Sequence, residues 1–433
     1  MAREVIGESE VLLRELEILD KFRIKYKVLP YKEAGRIVEK MRNLAGDLPE
    51  IETPANKDEL IQAELKRRLN GEAFNLEQMI TSKHCDFETL ISFYGVPSSD
   101  INDLERWLVE NKDNTLEAIE RLYKARKVEG YELKSFSDVP STRRQAEEFA
   151  AVHIEKYHSI LGKLLQDLTK VGEFLRDIKA VPTTEKRSYF SGLTKMLAVS
   201  IPAICYTNED RSMQIREEEL IKIYGHEGMG HALNHLVTKS NNIPFFLTLD
   251  SSLTSATEES VSQFYENVIF EDLKNSPSVQ KALGIKHKFD EVYQEHQDSG
   301  RIEEYSLKLF QYAIKVLADK NLGMPQDPET IRKKTEILNK VTLNPTYPID
   351  FVENYKNSFD SQGNLADKLV RELRYCAKPV QRALEEFAKR GVKYEGEGRS
   401  LVDSVLLKGF WTPVGYVDNA RLSAEEAAKK LGR

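Results

Sequence analysis

The chain is poor in cysteine and tryptophan and has no long apolar run. Its three cysteines, Cys85, Cys205 and Cys376, lie far apart and never form a Cys-x-x-Cys pair. That argues against a disulfide framework and a thiolate zinc site, and the expected setting is cytoplasmic. The longest apolar stretch, Met196 to Cys205, falls far short of the roughly 20 residues that cross a bilayer. The N-terminus, Met1-Ala-Arg-Glu-Val-Ile-Gly-Glu, turns acidic at once and carries no apolar signal core. No membrane role is expected. With 63 Lys and Arg against 70 Asp and Glu, the net charge is −7 and no block of one sign stands out. A nucleic-acid partner would call for a basic stripe, and there is none.

What is present is a folded chain. Its 433 residues are 40% hydrophobic and 31% charged, enough to bury a sizeable core in one large or two closely joined domains. Most of the text has helical periodicity. Val11-Leu12-Leu13, Leu16, Ile18-Leu19 and Phe22 form a first stripe ended by Pro30. Similar patterns cover Ala34–Leu44, Lys57–Leu69, Phe87–Tyr94, Leu104–Val109 and Leu116–Tyr123, and Pro140-Ser141-Thr142 opens a long helix to about Ile178. Strand-like text is scarce: Met196–Tyr206, with Pro202 suiting an edge strand, and more weakly Phe245–Leu249. Further helices are expected at about 255–273, 301–319, 328–341, 363–391 and 422–431. The expected fold is mainly α with a small mixed β-sheet. It divides into a helical N-terminal region, 1–185, and a region 186–433 that carries the chemistry.

That chemistry lies in Tyr224-Gly-His226-Glu227-Gly-Met-Gly-His231-Ala-Leu-Asn-His235. Gly225, Gly228 and Gly230 interrupt good helix-forming text, each at about 1 kcal/mol relative to Ala. Three glycines in so short a span imply an altered backbone or a close approach by another element. Zinc peptidases use His-Glu-x-x-His because residues four apart lie about 40° apart around a helix, so both imidazoles reach one metal. The Glu beside the first His then faces the water that the metal activates and acts as general base. Here the spacing is five, about 140° on a regular helix, and the rings would diverge. One inserted residue in a π-type bulge restores convergence, and Gly228 and Gly230 lower its cost. His153 and His158 share the spacing but have neither the Glu nor a glycine, so that pair reads as structural.

A catalytic zinc usually takes three protein ligands and a water. Downstream, Glu258 and Glu259 stand in the first turn of a helix that starts at Ser255/Ala256/Thr257, and either can supply the third ligand.

His226-Glu-Gly-Met-Gly-His-Ala-Leu-Asn-His-Leu resembles the His-Glu-Phe-Gly-His-Ala-Leu-His-His-Leu helix of the thimet oligopeptidase and oligoendopeptidase F family, with one residue inserted. Glu259-Ser-Val-Ser-Gln-Phe-Tyr-Glu266 is similar to that family's Glu-x-Pro-Ser-Gln-Phe-x-Glu and to the Glu-Ser-Gln-Ser-Arg-Leu-Trp-Glu-Asn run of Taq-type carboxypeptidases. The longer spacing with Gly before the second His is the pattern of dipeptidyl peptidase III and of the tubulin-detyrosinating carboxypeptidases. The resemblance runs from Glu217 to Asp272. It implies a gluzincin-type metallopeptidase with a helical channel wall and a Zn(2+) cofactor. By carry-over, His226, His231 and Glu259 are ligands and Glu227 is the base. The implied substrates are short or unfolded peptides or flexible protein termini, and both carboxypeptidase and oligopeptidase action stay open. A non-catalytic peptide-binding protein on a peptidase fold is the competing expectation, and a structural zinc a third.

Supporting roles are assigned more loosely. Glu266, two turns after Glu259, can hold a ligand imidazole by its free N–H or be a surface acid. His235 is expected to pack. An oxyanion-stabilising tyrosine is sought among Tyr347, Tyr355, Tyr375 and Tyr416. Tyr416 is preferred because Gly409-Phe-Trp-Thr-Pro-Val-Gly-Tyr416 reads as a substrate-facing loop. Arg371 and Arg374 share a helix face and can hold a substrate carboxylate. The strand near Ala198–Tyr206 is expected to pair with an extended peptide.

Overall fold

Regular spacing of apolar side chains builds most of the molecule. In the helix Tyr31–Asp47, Ala34, Ile37, Met41 and Ala45 make one buried stripe. Pro328 opens the helix Pro328–Asn339 behind Asp327, whose carboxylate accepts the N–H groups of Glu329 and Thr330. The computed structural model describes residues 2–26, 30–81, 87–93, 101–128, 140–169, 178–192, 194–207, 213–240, 243–249, 251, 253–318, 327–344, 352–353 and 378–432.

Within these, the helices are α1 (Ala2–Tyr26), α2 (Tyr31–Asp47), α3 (Lys57–Thr81), α4 (Phe87–Phe93), α5 (Leu104–Val128) and α6 (Pro140–Thr169). After a short sheet come α7 (Glu217–Ile223), a π-helix (Tyr224–Leu233) and α8 (Asn234–Ser240) in one unbroken run. Then follow α9 (Ser255–Lys274), α10 (Pro277–Leu283), α11 (Phe289–Leu317), α12 (Pro328–Asn339), α13 (Pro379–Lys389), α14 (Gly396–Leu406) and α15 (Pro413–Lys430). The coarse class is therefore as expected: mainly helical with a small mixed sheet. Among the described residues no helix is long and apolar enough to cross a membrane.

The sheet departs from expectation in an instructive way. Strands β1 (Lys179–Thr183), β2 (Tyr189–Ser191) and β3 (Met196–Ser200) lie in the order β1-β3-β2. β3 pairs parallel with β1 and antiparallel with β2, so it is the central strand, not an edge. Pro202 does not belong to it. The chain turns into a helical turn, Ile201–Ile204, with Ser200 as its N-cap and Pro202 in the first positions, where proline's missing N–H is not needed. Pro182 instead sits in β1, an outer strand, as the lost donor requires. A separate hairpin pairs β4 (Cys205–Thr207) with β5 (Met213–Ile215). Phe245–Thr248 is a 3₁₀ turn after Pro244, not a strand. Cys205 is buried and free, while Cys85 and Cys376 lie outside the described residues.

Two apolar clusters hold these elements. The larger joins α1–α3, α6, the sheet, the α7–π–α8 run, α9 and α13–α15. The smaller packs α4 and α5 against the second half of α11 and the end of α12. Each draws on residues from both sides of position 185. A buried ion pair ties distant parts of the larger cluster together. Arg68 of α3 donates to the carbonyls of Phe246, Leu249 and Phe410, and Glu64 accepts from the N–H and hydroxyl of Thr412. Thr412 in turn caps α15.

Candidate metal centre

The helix carrying His226 and His231 is where the backbone departs most from the ordinary. From Tyr224 to Leu233 its hydrogen bonds run i to i+5. Because each turn closes on the fifth residue, residues five apart share a face. His226 and His231 thus lie side by side, ring centroids 5.2 Å apart. Gly225 and Gly230, also five apart, share the neighbouring face, and that face is pressed on α9. A Cβ on Gly225 would stand 2.7 Å from the Glu266 Cα, and one on Gly230 would stand 2.3 Å from the Ser262 Cα. These two glycines serve the close approach of α9. Gly228, which the spacing argument paired with Gly230, would meet only a Tyr224 ring carbon at 3.7 Å, an ordinary contact.

Close packing brings the carboxylates of α9 onto the imidazoles. Glu259 Oε2 is 3.5 Å from His226 Nε2 and 3.8 Å from His231 Nε2. Together the three ligand atoms lie within 4.8 Å of one another. In a tetrahedral site with bonds of about 2.0 Å, ligand atoms stand about 3.3 Å apart, so this donor set needs only a small contraction to close on one ion. Glu258 is turned away, its carboxylate accepting from Thr254 Oγ1 at 3.0 Å. Of the two neighbouring acids, Glu259 is the one at the histidines.

The second ring nitrogen of His226 is also engaged. Nδ1 is 3.1 Å from Glu266 Oε2, which leaves Nε2 to face the centre. Lys222, one turn before His226, places its ammonium 3.5 Å from the other oxygen of Glu266 and 3.0 Å from Glu303 Oε2. Burial opposes a charge on His226, but the flanking Glu259 and Glu266 carboxylates outweigh it and raise its pKa to about 10. The centre therefore favours positive charge at Nε2, which a divalent cation supplies as well as a proton does. Burial would raise the Glu266 carboxyl, yet His226 and Lys222 hold it below its ordinary value.

Glu227 follows His226 and reaches the sheet. The N–H of Phe190 in β2 donates to Glu227 Oε2 at 3.0 Å. Burial pushes this carboxyl up to about 7, with Glu259 adding repulsion and His226 opposing it. Nothing in the sequence marks Phe190 for this role, since β2 is only three residues long. Lys222, four before His226, carries a readable signal in its spacing.

The remaining candidates lie elsewhere. His235 packs between the rings of Phe190 and Phe410, at 5.7 and 6.3 Å. His153 and His158 stand on the regular helix α6 and bond separately, to the carbonyls of Phe149 and Ile178. Tyr416 is not brought to the centre. It is 1% exposed, and its hydroxyl donates to the Leu406 carbonyl at 3.1 Å. Phe410, Trp411 and Thr412 are buried with it, so the 409–416 stretch is an anchored core segment and the helix start it contains, Thr412-Pro413, explains its composition. Tyr347, Tyr355, Tyr375, Arg371 and Arg374 lie outside the described residues.

Comparison of the chain with models of protein families, with curated protein sequences and with solved structures gives no match in any of the three.

Proposed function

We propose that the chain is a metal-dependent peptidase. The observation that carries this reading is the convergence of His226, His231 and Glu259 beside a half-buried Glu227. His226 and His231 through Nε2, and Glu259 through its carboxylate, would hold a zinc ion. When bound, zinc acts as a Lewis acid, making a water more acidic and polarising a scissile carbonyl. The rest is done by this chain's own residues. Glu227 takes a proton from the attacking water and delivers it to the departing amine. The Phe190 N–H fixes one oxygen of that carboxylate and leaves the second for proton transfer. Glu266 keeps the His226 ring oriented. Because the Phe190 N–H points away from β3 and towards Glu227, an extended peptide laid along the outer edge of β2 would pass the base. It is β2, not β3, that is suited to this. Two imidazoles and a carboxylate without cysteine suit a catalytic rather than a structural zinc, and few cysteines suit a cytoplasmic enzyme.

The test is mass spectrometry of a mixed peptide pool after incubation with the wild type and with Glu227→Ala, alongside the zinc content of both. Cleavage by the wild type alone, with zinc kept by both, is expected. Internal cuts identify an oligopeptidase, and residues lost from one end a carboxypeptidase or aminopeptidase. Undiminished cleavage by Glu227→Ala would falsify the mechanism. No cleavage by a zinc-loaded wild type would point instead to a peptide-binding protein.

A further inference from the structure

Lys222 is half-buried one turn before His226, where it has no part in the chemistry assigned above. Its side chain is 18% exposed, and the Glu266 side chain beside it 8%. Glu266 divides its oxygens: Oε2 faces His226 Nδ1 at 3.1 Å and Oε1 faces Lys222 Nζ at 3.5 Å. Lys222 has a second carboxylate, Glu303 at 3.0 Å, but that side chain is half-exposed and water can serve it. Glu266 is the partner that needs the ammonium, since a buried carboxylate oxygen without a partner is costly. The geometry is a relay of fixed orientations, Glu303–Lys222–Glu266–His226, ending on a candidate ligand. The link is also local, because Lys222 and His226 are one turn apart on the same run of helix while Glu266 comes from α9.

We infer that Lys222 is a positioning residue for the metal centre: its ammonium holds the Glu266 carboxylate against His226 Nδ1, and this sets the affinity for the ion. The inference rests on the reading of His226, His231 and Glu259 as ligands. Disturbing the groups that orient a ligand histidine typically weakens metal binding 10–100-fold, and the same scale is expected here.

The experiment measures zinc affinity of the full chain by competition with a chromogenic chelator, for wild type, Lys222→Met, Lys222→Arg, Glu266→Gln and the double variant Lys222→Met/Glu266→Gln. Lys222→Met should bind zinc about tenfold or more weakly, Lys222→Arg should recover most of that loss, and Lys222→Met should cost little further once Glu266→Gln is present. If Lys222→Met does not fold, Lys222→Gln, which keeps a polar end, takes its place in the cycle. Affinity within about twofold of wild type, or an equal loss in both backgrounds, would overturn the assignment and leave Lys222 a purely structural ion-pair partner. A wild type that binds zinc but cleaves no peptide would remove the peptidase reading while the cycle still decides the role of Lys222. A wild type that takes up no zinc would remove both.

Discussion

Gly230 lies against Ser262 so closely that a single added carbon has nowhere to go: its Cβ would stand 2.3 Å from the Ser262 Cα, which is backbone. Gly230→Ala must therefore push α9 away from the histidine helix, and Glu259 moves with it. A loss of about 1–3 kcal/mol is expected from the overpacking, with weaker zinc binding. Gly228→Ala has room and should be neutral, or stabilising by up to about 1 kcal/mol. Thermal melts and zinc titrations of the two variants check this, and equal behaviour would contradict the packing.

On the proposed reading, removal of His231 should be more severe than removal of Glu227. His231→Ala is expected to lose zinc on dialysis and all peptide turnover, a larger fall than the roughly 10–100-fold that follows from altering the groups behind a ligand. Metal analysis after dialysis, paired with the peptide assay, reads both effects. Retention of one zinc equivalent by His231→Ala would remove this residue from the ligand set.

Tyr416→Phe separates the buried tyrosine from the site. Its hydroxyl bonds only to the Leu406 carbonyl among its described contacts, so the variant should lose about 1–3 kcal/mol of stability through the unpaired carbonyl. Turnover at saturating peptide should stay unchanged at a temperature where both proteins are folded. A fall of tenfold or more would return Tyr416 to the reaction.

Glu218, in the first turn of α7, gives a pH dependence with a definite sign. Burial, then repulsion from Glu219 against the pull of Lys222, raises its carboxyl from 4.5 to about 8. The folded state keeps the proton up to that pH, whereas the unfolded chain releases it near 4.5. Stability contributed by this group is thus complete at acid pH and falls as pH rises from about 4.5 to about 8, by at most about 1.4 kcal/mol per unit. Glu218→Gln should flatten that decline, so the gap in melting temperature between variant and wild type should widen from pH 5 to pH 8. A constant gap would show that the buried carboxyl is ionised throughout.

Much of this was legible beforehand, and the misses share a cause. The five-residue spacing of His226 and His231 called for a π-type turn, and the backbone has one. Glycine content announced close packing, but only contact with α9 distinguishes Gly225 and Gly230 from Gly228. Leu104–Val109 and Leu116–Tyr123 are one helix: Glu110, Asp113 and Asn114 between them face solvent, while Asn111 and the buried Thr115 bond back to carbonyls one turn earlier without breaking it. Proline was ambiguous: Pro202 opens a helical turn, and Thr412-Pro413 opens α15 where a loop was expected. Phe190 had no signal, since its contribution is a backbone N–H and any residue supplies one.

The buried guanidinium of Arg68 has a consequence in time. It is completed by the Phe410 carbonyl, 342 residues later in the chain. At synthesis rates of about 5–20 residues per second, roughly 20–70 s separate the two on the ribosome. Throughout that interval α3 exposes a charged pair and the apolar face meant to surround it, so the histidine helix and α9 can emerge well before their final support exists. This part of the core is thus completed only when residues 410–412 arrive, after both elements of the candidate metal centre have been made.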